Sequence, residues 1–341
     1  MDRGADGARA GLRGPRDAPA AERAADFSPR CYSGERKPGA RVKVMDWNST
    51  RVTALLEHAL KEDHALADTT TRLIVPAGQM AQAEIVAKQA CVLAGLPLVP
   101  RVLELFAALA AKESAARPER NALVVTSQQE IFDGVRLQPG QTIAVVRGLA
   151  RPLLSCERVI LNLLQRLSGI ATLTRQFVDA VQDLPVRILD TRKTAPGMRV
   201  LDKYAVACGG GQNHRTDLSD AILIKNNHIR LAGGIAAALE RARANRRPDQ
   251  PIEIEVRTLA ELSAALAGGA DRLLVDNMTP EEVRAAIAAV AGQVPVEVSG
   301  GVRLATVRAY AEAGPQFISV GALTHSAPAV DLSMRIIPIP A

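Results

Sequence analysis

From residue 186 to residue 320 the chain repeats one alternation, a short apolar, β-branched run followed by a stretch of helical period. The runs are Val186–Leu189, Ala221–Ile224, Ile252–Val256, Arg272–Val275, Val294–Val298 and Phe317–Val320. Helical stretches fall between most of them, at Met198–Ala207, Gly234–Arg243, Leu259–Ala267, Pro280–Ala291 and Leu304–Ala313. Successive strands separated by helices must run parallel, because each crossover returns the chain to the same edge. Six such units, with no dinucleotide glycine fingerprint on the first turn, favour a β/α barrel over a doubly wound sheet.

In a parallel barrel the strand ends share one rim, the rim that carries active sites. The residues at those ends are Asp190-Thr191-Arg192-Lys193-Thr194, Lys225-Asn226-Asn227-His228, Glu255, Asp276-Asn277, Ser299-Gly300-Gly301 and Gly321-Ala322. Their leading positions are spaced by 35, 30, 21, 23 and 22 residues. Packing does not account for polar groups at six consecutive strand ends; solvated loop starts are the bland alternative. Arg192, Lys193, Arg215 and Lys225 suit a ligand with several negative charges, since arginine grips a carboxylate through two parallel bonds. Glu255 and Asp276 offer hard oxygens of the kind Mg²⁺ takes together with substrate phosphates. Ser299-Gly300-Gly301 and Val320-Gly321-Ala322 let backbone N–H groups approach a terminal phosphate. Together they imply a ligand set of carboxylates, a diphosphate needing Mg²⁺ and a separate phosphomonoester. A phosphoribosyl donor and a dicarboxylate acceptor meet that description.

The part before the barrel is less regular. Val52, Leu55, Leu56, Ala59 and Leu60 predict an amphipathic helix capped by Ser49 or Thr50. Arg72–Val75 reads as strand, Ala81–Val92 and Val102–Lys112 as helices, and Asn121–Thr126 and Gln141–Val146 as strands about a Pro139-Gly140 turn. Residues 157–182 carry the strongest helical period of the chain. The expected organisation is α/β: an N-terminal α+β sandwich-like domain over 45–151, then an incomplete parallel β/α barrel over 152–341.

Charge excludes little about the folded part. Of a net charge of +6, residues 1–43 supply +4 through ten basic and six acidic side chains. That Gly-, Ala-, Arg- and Pro-rich segment has no apolar period and reads as a disordered basic extension over 1–44. It lacks the apolar core of a secretory signal and holds too many acids for a transit peptide. Met45 as the true initiator is the alternative. Cys31, Cys91, Cys156 and Cys208 are far apart, which argues against a zinc site or disulfide framework and for a cytoplasmic protein. Aromatic residues at 3% argue against a stacking platform for single-stranded nucleic acid.

The string LDTRKTAPGMRVLDKYAVACGGGQNHRTDLSDAILIKNNHI (189–229), preceded by ERVILNLLQRLSGIAT (157–172), resembles nicotinate-nucleotide pyrophosphorylase (carboxylating), or quinolinate phosphoribosyltransferase. IEIEV, LLVDNM, EVSGG, SVGALTHSA, EDHALADTTT and CVLAGLPLV extend the resemblance over about residues 48–336. It implies a type II phosphoribosyltransferase-like fold and a pentosyltransferase of NAD biosynthesis. That enzyme converts quinolinate and phosphoribosyl pyrophosphate to nicotinate mononucleotide, pyrophosphate and CO₂ with Mg²⁺. It also implies a homodimer, or a higher even homo-oligomer, whose sites take Arg158 from the neighbouring chain. Arg192, Arg215 and Lys225, with His214 beside them, match the quinolinate binders. Thr191, Lys193, Glu255, Asp276, Ser299, Gly300, Gly301, Val320, Gly321 and Ala322 match the groups around the donor and its metal, with Lys193, Glu255 and Asp276 as the catalytic set. His325 matches a side chain at the phosphate end. Asn226 stands where Asp is usual and Gln212 where His or Val is common; both flank binding residues and bear on substrate fine-tuning.

Three rivals differ in class. A barrel phosphoribosyltransferase of the molybdenum-transport-associated type keeps the fold but changes the acceptor. A Schiff-base aldolase would use a desolvated Lys225. A nucleic-acid binder would rest on the basic N-terminal segment. His228 is expected to steady Lys225, and Gly209-Gly210-Gly211 to position Asn213-His214-Arg215 or merely to end a helix.

Overall fold

The computed structural model describes residues 45–113, 124–248 and 250–340. The expected extension over 1–44 lies outside them. Helix α1 (Thr50–Glu62) buries Val52, Leu56 and Leu60 at steps of four, with Ser49 in the capping position but making no side-chain cap bond. Helix α2 (Thr69–Ile74) replaces the strand expected at 72–75. The Asp68 carboxylate accepts the Thr71 N–H at 3.0 Å, and this cap outweighs the β-branched run that follows it.

Strand β1 (Met80–Ala87) replaces the helix expected over 81–92. Ala81, Ala83, Ile85 and Ala87 are buried while Gln82 and Glu84 are not, a period of two that overrides alanine's helix propensity. Next come β2 (Cys91–Val92), α3 (Leu98–Glu113), β3 (Val124–Thr126), β4 (Arg136–Leu137) and β5 (Thr142–Leu149). Residues 121–123 of the expected strand fall outside the described residues.

Helix α4 (Ala150–Asp179) starts seven residues before the expected 157. Pro152 sits in its first turn, where the missing N–H costs nothing. Its buried face, from Leu153 through Leu164, Leu167 and Ile170 to Phe177, packs against β1, β2 and β5 and against the first barrel elements.

The barrel follows the expected rhythm: β6 (Arg187–Leu189), α5 (Arg199–Cys208), β7 (Ile222–Ile224), α6 (Asn226–Ala232), α7 (Ile235–Asn245), β8 (Ile252–Val256), α8 (Leu259–Ala267), β9 (Arg272–Asp276), α9 (Pro280–Val290), β10 (Val296–Ser299), α10 (Val307–Glu312), β11 (Phe317–Ser319) and the short α11 (Ala322–His325). The strands form one parallel sheet, β6-β11-β10-β9-β8-β7, left open between β6 and β7. An incomplete β/α barrel is therefore observed. Gln212 makes a parallel bridge to Leu189, so the segment leading to His214 and Arg215 runs along the open edge.

The last strand, β12 (Leu332–Pro338), leaves the barrel and pairs antiparallel with β1, giving a sheet of order β12-β1-β5-β3. Residues 332–338, grouped with the barrel from sequence, thus complete the N-terminal layer. Their partner lies some 250 residues upstream, too far for local pattern to announce. Among the described residues no helix is long and apolar enough to cross a membrane.

Candidate active site

The strand ends open into one cavity of about 610 Å³. Thr191, Arg192, Lys193, His214, Arg215, Lys225, Glu255, Asp276, Ser299, Gly300, Gly301, Val320, Gly321, Ala322 and His325 all line it. Every candidate site residue is therefore brought together except Arg158. Arg158 lies on the exposed side of α4, two turns in from its start, with its guanidinium donating to Asn162 Oδ1 at 2.9 Å. Asp190, the first residue past β6, is fully buried and does not line the cavity.

Asp190 builds the cationic wall from behind. Its carboxylate accepts Lys203 Nζ at 2.5 Å, Asn213 Nδ2 at 2.6 Å and the His214 backbone N–H at 2.8 Å. These bonds fix the 213–215 segment against β6. The glycines before it allow close approach: a Cβ on Gly209 would stand 2.5 Å from the Ala171 carbonyl and from Thr174 Cβ of α4. The expected positioning role of this run thus has a steric basis. Arg215 is buried and donates to the Ala221 carbonyl at 3.1 Å. The buried Nε of Arg192 has no hydrogen-bond partner among the described residues, a donor suited to an anionic ligand.

The Lys193 loop is latched from two sides. Thr324 Oγ1 donates to the Lys193 carbonyl at 2.8 Å, and Asp202 accepts the Ala195 N–H at 3.3 Å. Arg166 ties these together, gripping Asp202 at 2.8 and 3.0 Å while donating to the Thr324 carbonyl. Sequence reasoning passed over Arg166, Asp202 and Thr324; the off-face Arg166 on a long apolar helix was the available signal.

Beyond Lys225 the wall turns acidic. Lys225 Nζ stands 3.7 Å from Glu255, and the Lys225 N–H donates to His228 Nδ1 at 3.0 Å. His228 thus steadies Lys225 through its backbone. The Lys225 side chain is 51% exposed and paired, the opposite of the desolvated environment a Schiff-base lysine needs. Glu255 and Asp276, on neighbouring strands, both accept from the guanidinium of Arg257. Two hard carboxylates already sharing one cation form a donor set that fits Mg²⁺. The turn after β10 completes the rim. Gly300 has φ +92°, and a Cβ there would stand 2.4 Å from Asn277 Oδ1, so only glycine fits.

The floor carries charge within an otherwise aliphatic core. Leu223, Leu274, Glu297 and Ser319 line it, and Glu253 and Arg272 lie buried with them. Arg272 pairs with Glu253 at 3.0 Å and with Glu297, and stacks 3.8 Å over the Phe317 ring. His214 Nε2 faces Glu253 at 3.4 Å and Glu297 at 3.5 Å.

Two influences on His214 oppose each other. The Arg215 N–H points at Nδ1 from 2.7 Å, which favours a neutral ring protonated on Nε2. A neutral ring would leave two buried carboxylates with Arg272 as their cation, a net negative charge costing several kcal/mol, against about 1 kcal/mol for the hydrogen bond. The charged ring prevails. Burial works against it, but Glu297 and Glu253 raise the His214 pKa to about 9. Burial likewise opposes the charge on Glu297, yet His214 and Arg272 lower its pKa to about 2. The charges inside the IEIEV and VEVS runs were the legible sign of this cluster.

Both parts of the chain are similar to known proteins. The N-terminal and C-terminal domain profiles of quinolinate phosphoribosyl transferase match residues 68–168 and 170–335. A probable nicotinate-nucleotide pyrophosphorylase (carboxylating) of Bacillus subtilis is 40% identical over 85% of this chain and 94% of its own length. The nicotinate-nucleotide pyrophosphorylase (carboxylating) of Mycobacterium leprae is 38% identical, covering 82% and 95%. Among solved structures, NadC from Streptococcus pyogenes superposes with a TM-score of 0.79 at 37% identity, over 87% of this chain and all of that one. Both domains, the open barrel and its polar rim accordingly place the chain in the quinolinate phosphoribosyltransferase family.

Proposed function

We propose that the protein transfers the phosphoribosyl group of phosphoribosyl pyrophosphate to the ring nitrogen of quinolinate, with loss of pyrophosphate and CO₂. The product is nicotinate mononucleotide, a precursor in NAD biosynthesis. The observation that carries the reading is the division of one cavity into a cationic wall (Arg192, His214, Arg215, Lys225) and an acidic one (Glu255, Asp276). A pyridine dicarboxylate fits the first, and a diphosphate with its counter-cation fits the second.

Arg192, Arg215 and Lys225 hold the two carboxylates and point the ring nitrogen at the anomeric carbon, which turns an encounter of two solutes into a reaction within one complex. As nitrogen bonds to that carbon, the bond to the pyrophosphate oxygen breaks. Lys193 meets the departing negative charge from a loop already latched in place. Glu255 and Asp276 would hold Mg²⁺, which when bound screens the diphosphate charge. The new pyridinium nitrogen is positive, and its charge stabilises the electron pair that stays on the neighbouring ring carbon as CO₂ departs. A proton from solvent then fills that position. No covalent protein nucleophile takes part. The turns at 299–301 and 320–322, with His325, receive the 5′-phosphate.

The protein acts as a homodimer or higher even homo-oligomer in the cytoplasm, and Arg158 of one chain completes the carboxylate wall of its neighbour. Its exposure outside its own cavity supports that role. Incubation with quinolinate, phosphoribosyl pyrophosphate and Mg²⁺ should yield nicotinate mononucleotide by mass. Absence of product from folded protein would overturn the reading.

A further inference from the structure

Arg257, the first residue past β8, was not among the candidate site residues. Its Nη2 donates to Glu255 Oε1 at 3.3 Å and to Asp276 Oδ2 at 3.0 Å, and its Nε donates to Asp276 Oδ2 at 3.2 Å. The guanidinium thus spans both carboxylates of the acidic wall. Among the described residues Glu255 has one other positive partner, Lys225 at 3.7 Å, and Asp276 otherwise accepts from neutral Asn277, so Arg257 is the cation the two acids share.

The backbone and side chain of Arg257 are anchored separately. Its N–H donates to Glu261 at 2.7 Å at the start of α8, which holds the main chain whatever the side chain does. The side chain is 48% exposed, so it can leave the carboxylates for solvent without opening the core. Glu255 and Asp276 are far more enclosed, at 9% and 14%. Two enclosed carboxylates on adjacent strands repel unless a cation lies between them.

We propose that Arg257 is the resident counter-cation of the donor subsite: it neutralises Glu255 and Asp276 in the ligand-free protein, and a divalent cation must displace it to bind there. This rests on the phosphoribosyltransfer reading, which supplies the diphosphate. Displacement exposes a guanidinium beside the arriving diphosphate, a planar donor matched to phosphate oxygens. Metal alone gains the carboxylates but strands the arginine; metal with diphosphate satisfies both. Arg257 therefore makes the site selective for a metal–diphosphate pair over free metal.

The test is a Mn²⁺ titration of the full-length protein, with free Mn²⁺ read by electron paramagnetic resonance and no donor present. Arg257→Gln should bind Mn²⁺ at least tenfold more tightly than wild type, and adding Glu255→Gln should abolish the gain. Arg257→Lys, which keeps a charge, should stay closer to wild type. Equal or weaker binding by Arg257→Gln, no binding by any form, or a gain that survives Glu255→Gln would overturn the proposal. So would failure of both Arg257→Gln and Arg257→Ala to fold, since a side chain needed for folding is not displaceable. Product assays on wild type judge the broader reading separately. Nicotinate mononucleotide formation with unchanged Mn²⁺ affinity defeats the Arg257 proposal alone. No product defeats the function while the titration still decides Arg257.

Discussion

Replacing Glu297 by Gln tests whether the cavity floor is held by charge. Glu297 is fully buried, pairs with Arg272 and faces His214 at 3.5 Å. Glutamine keeps the shape and removes the charge, leaving Glu253 to balance both Arg272 and His214. Breaking a buried pair from one side costs about 3–5 kcal/mol, and that loss is expected at pH 7. The pH dependence gives the sharper reading. A histidine whose pKa rises from 6.5 to about 9 on folding stabilises the protein fully below pH 6.5 and loses that contribution as pH rises through 9. Each tenfold gain in proton affinity on folding is worth about 1.4 kcal/mol, so the wild type should lose about 3 kcal/mol across this window. Glu297, lowered to about 2, contributes above pH 4.5 and loses its contribution as pH falls through 2. The two effects are one attraction seen from either partner and are not added. With Glu297 neutral, the loss between pH 6.5 and 9 should shrink to less than half of the wild-type value. Guanidinium denaturation at pH 6.5, 8 and 9.5 measures both effects. A Glu297→Gln variant as stable as wild type at pH 7, or equally steep in pH, refutes the charged cluster.

The two walls should separate by mutation. Arg192→Ala or Lys225→Ala should raise the KM for quinolinate far more than that for phosphoribosyl pyrophosphate, and Asp276→Ala the reverse, each costing about 2–5 kcal/mol. Steady-state kinetics with each substrate varied checks this; equal effects on both would contradict the division. Arg158→Ala and Arg192→Ala chains, each nearly inactive alone, should recover about a quarter of wild-type activity when mixed, assuming random pairing into dimers. Demonstrated subunit exchange with no recovery would show that Arg158 does not act across chains.

The barrel was legible because parallel strands impose a rhythm and gather their C-terminal ends on one rim. That is why Lys225, Glu255 and Asp276 could be grouped before any geometry was known, and they do line one cavity. The N-terminal domain was less so. Alanine carries little facing information, so the alternation of Ala81, Ala83 and Ile85 was overshadowed by helix propensity, and a single Asp68 cap decided the fate of 69–74. Long-range pairing hid β12. The charged floor was missed for another reason: Glu253, Arg272 and Glu297 sit within apolar runs, and only the strand pairing, which sets Glu253 opposite Arg272 with Glu297 on the next strand, makes them neighbours. Arg257 was passed over because it follows Glu255 by two residues and looks like an ordinary solvated loop start.

The most direct measurement follows the carboxylate next to the ring nitrogen. Quinolinate carrying ¹⁴C in that group should release labelled CO₂ only when phosphoribosyl pyrophosphate is present, in a one-to-one ratio with pyrophosphate. Pyrophosphate release without labelled CO₂, or labelled CO₂ without the donor, would contradict an order in which the new pyridinium is what makes decarboxylation possible.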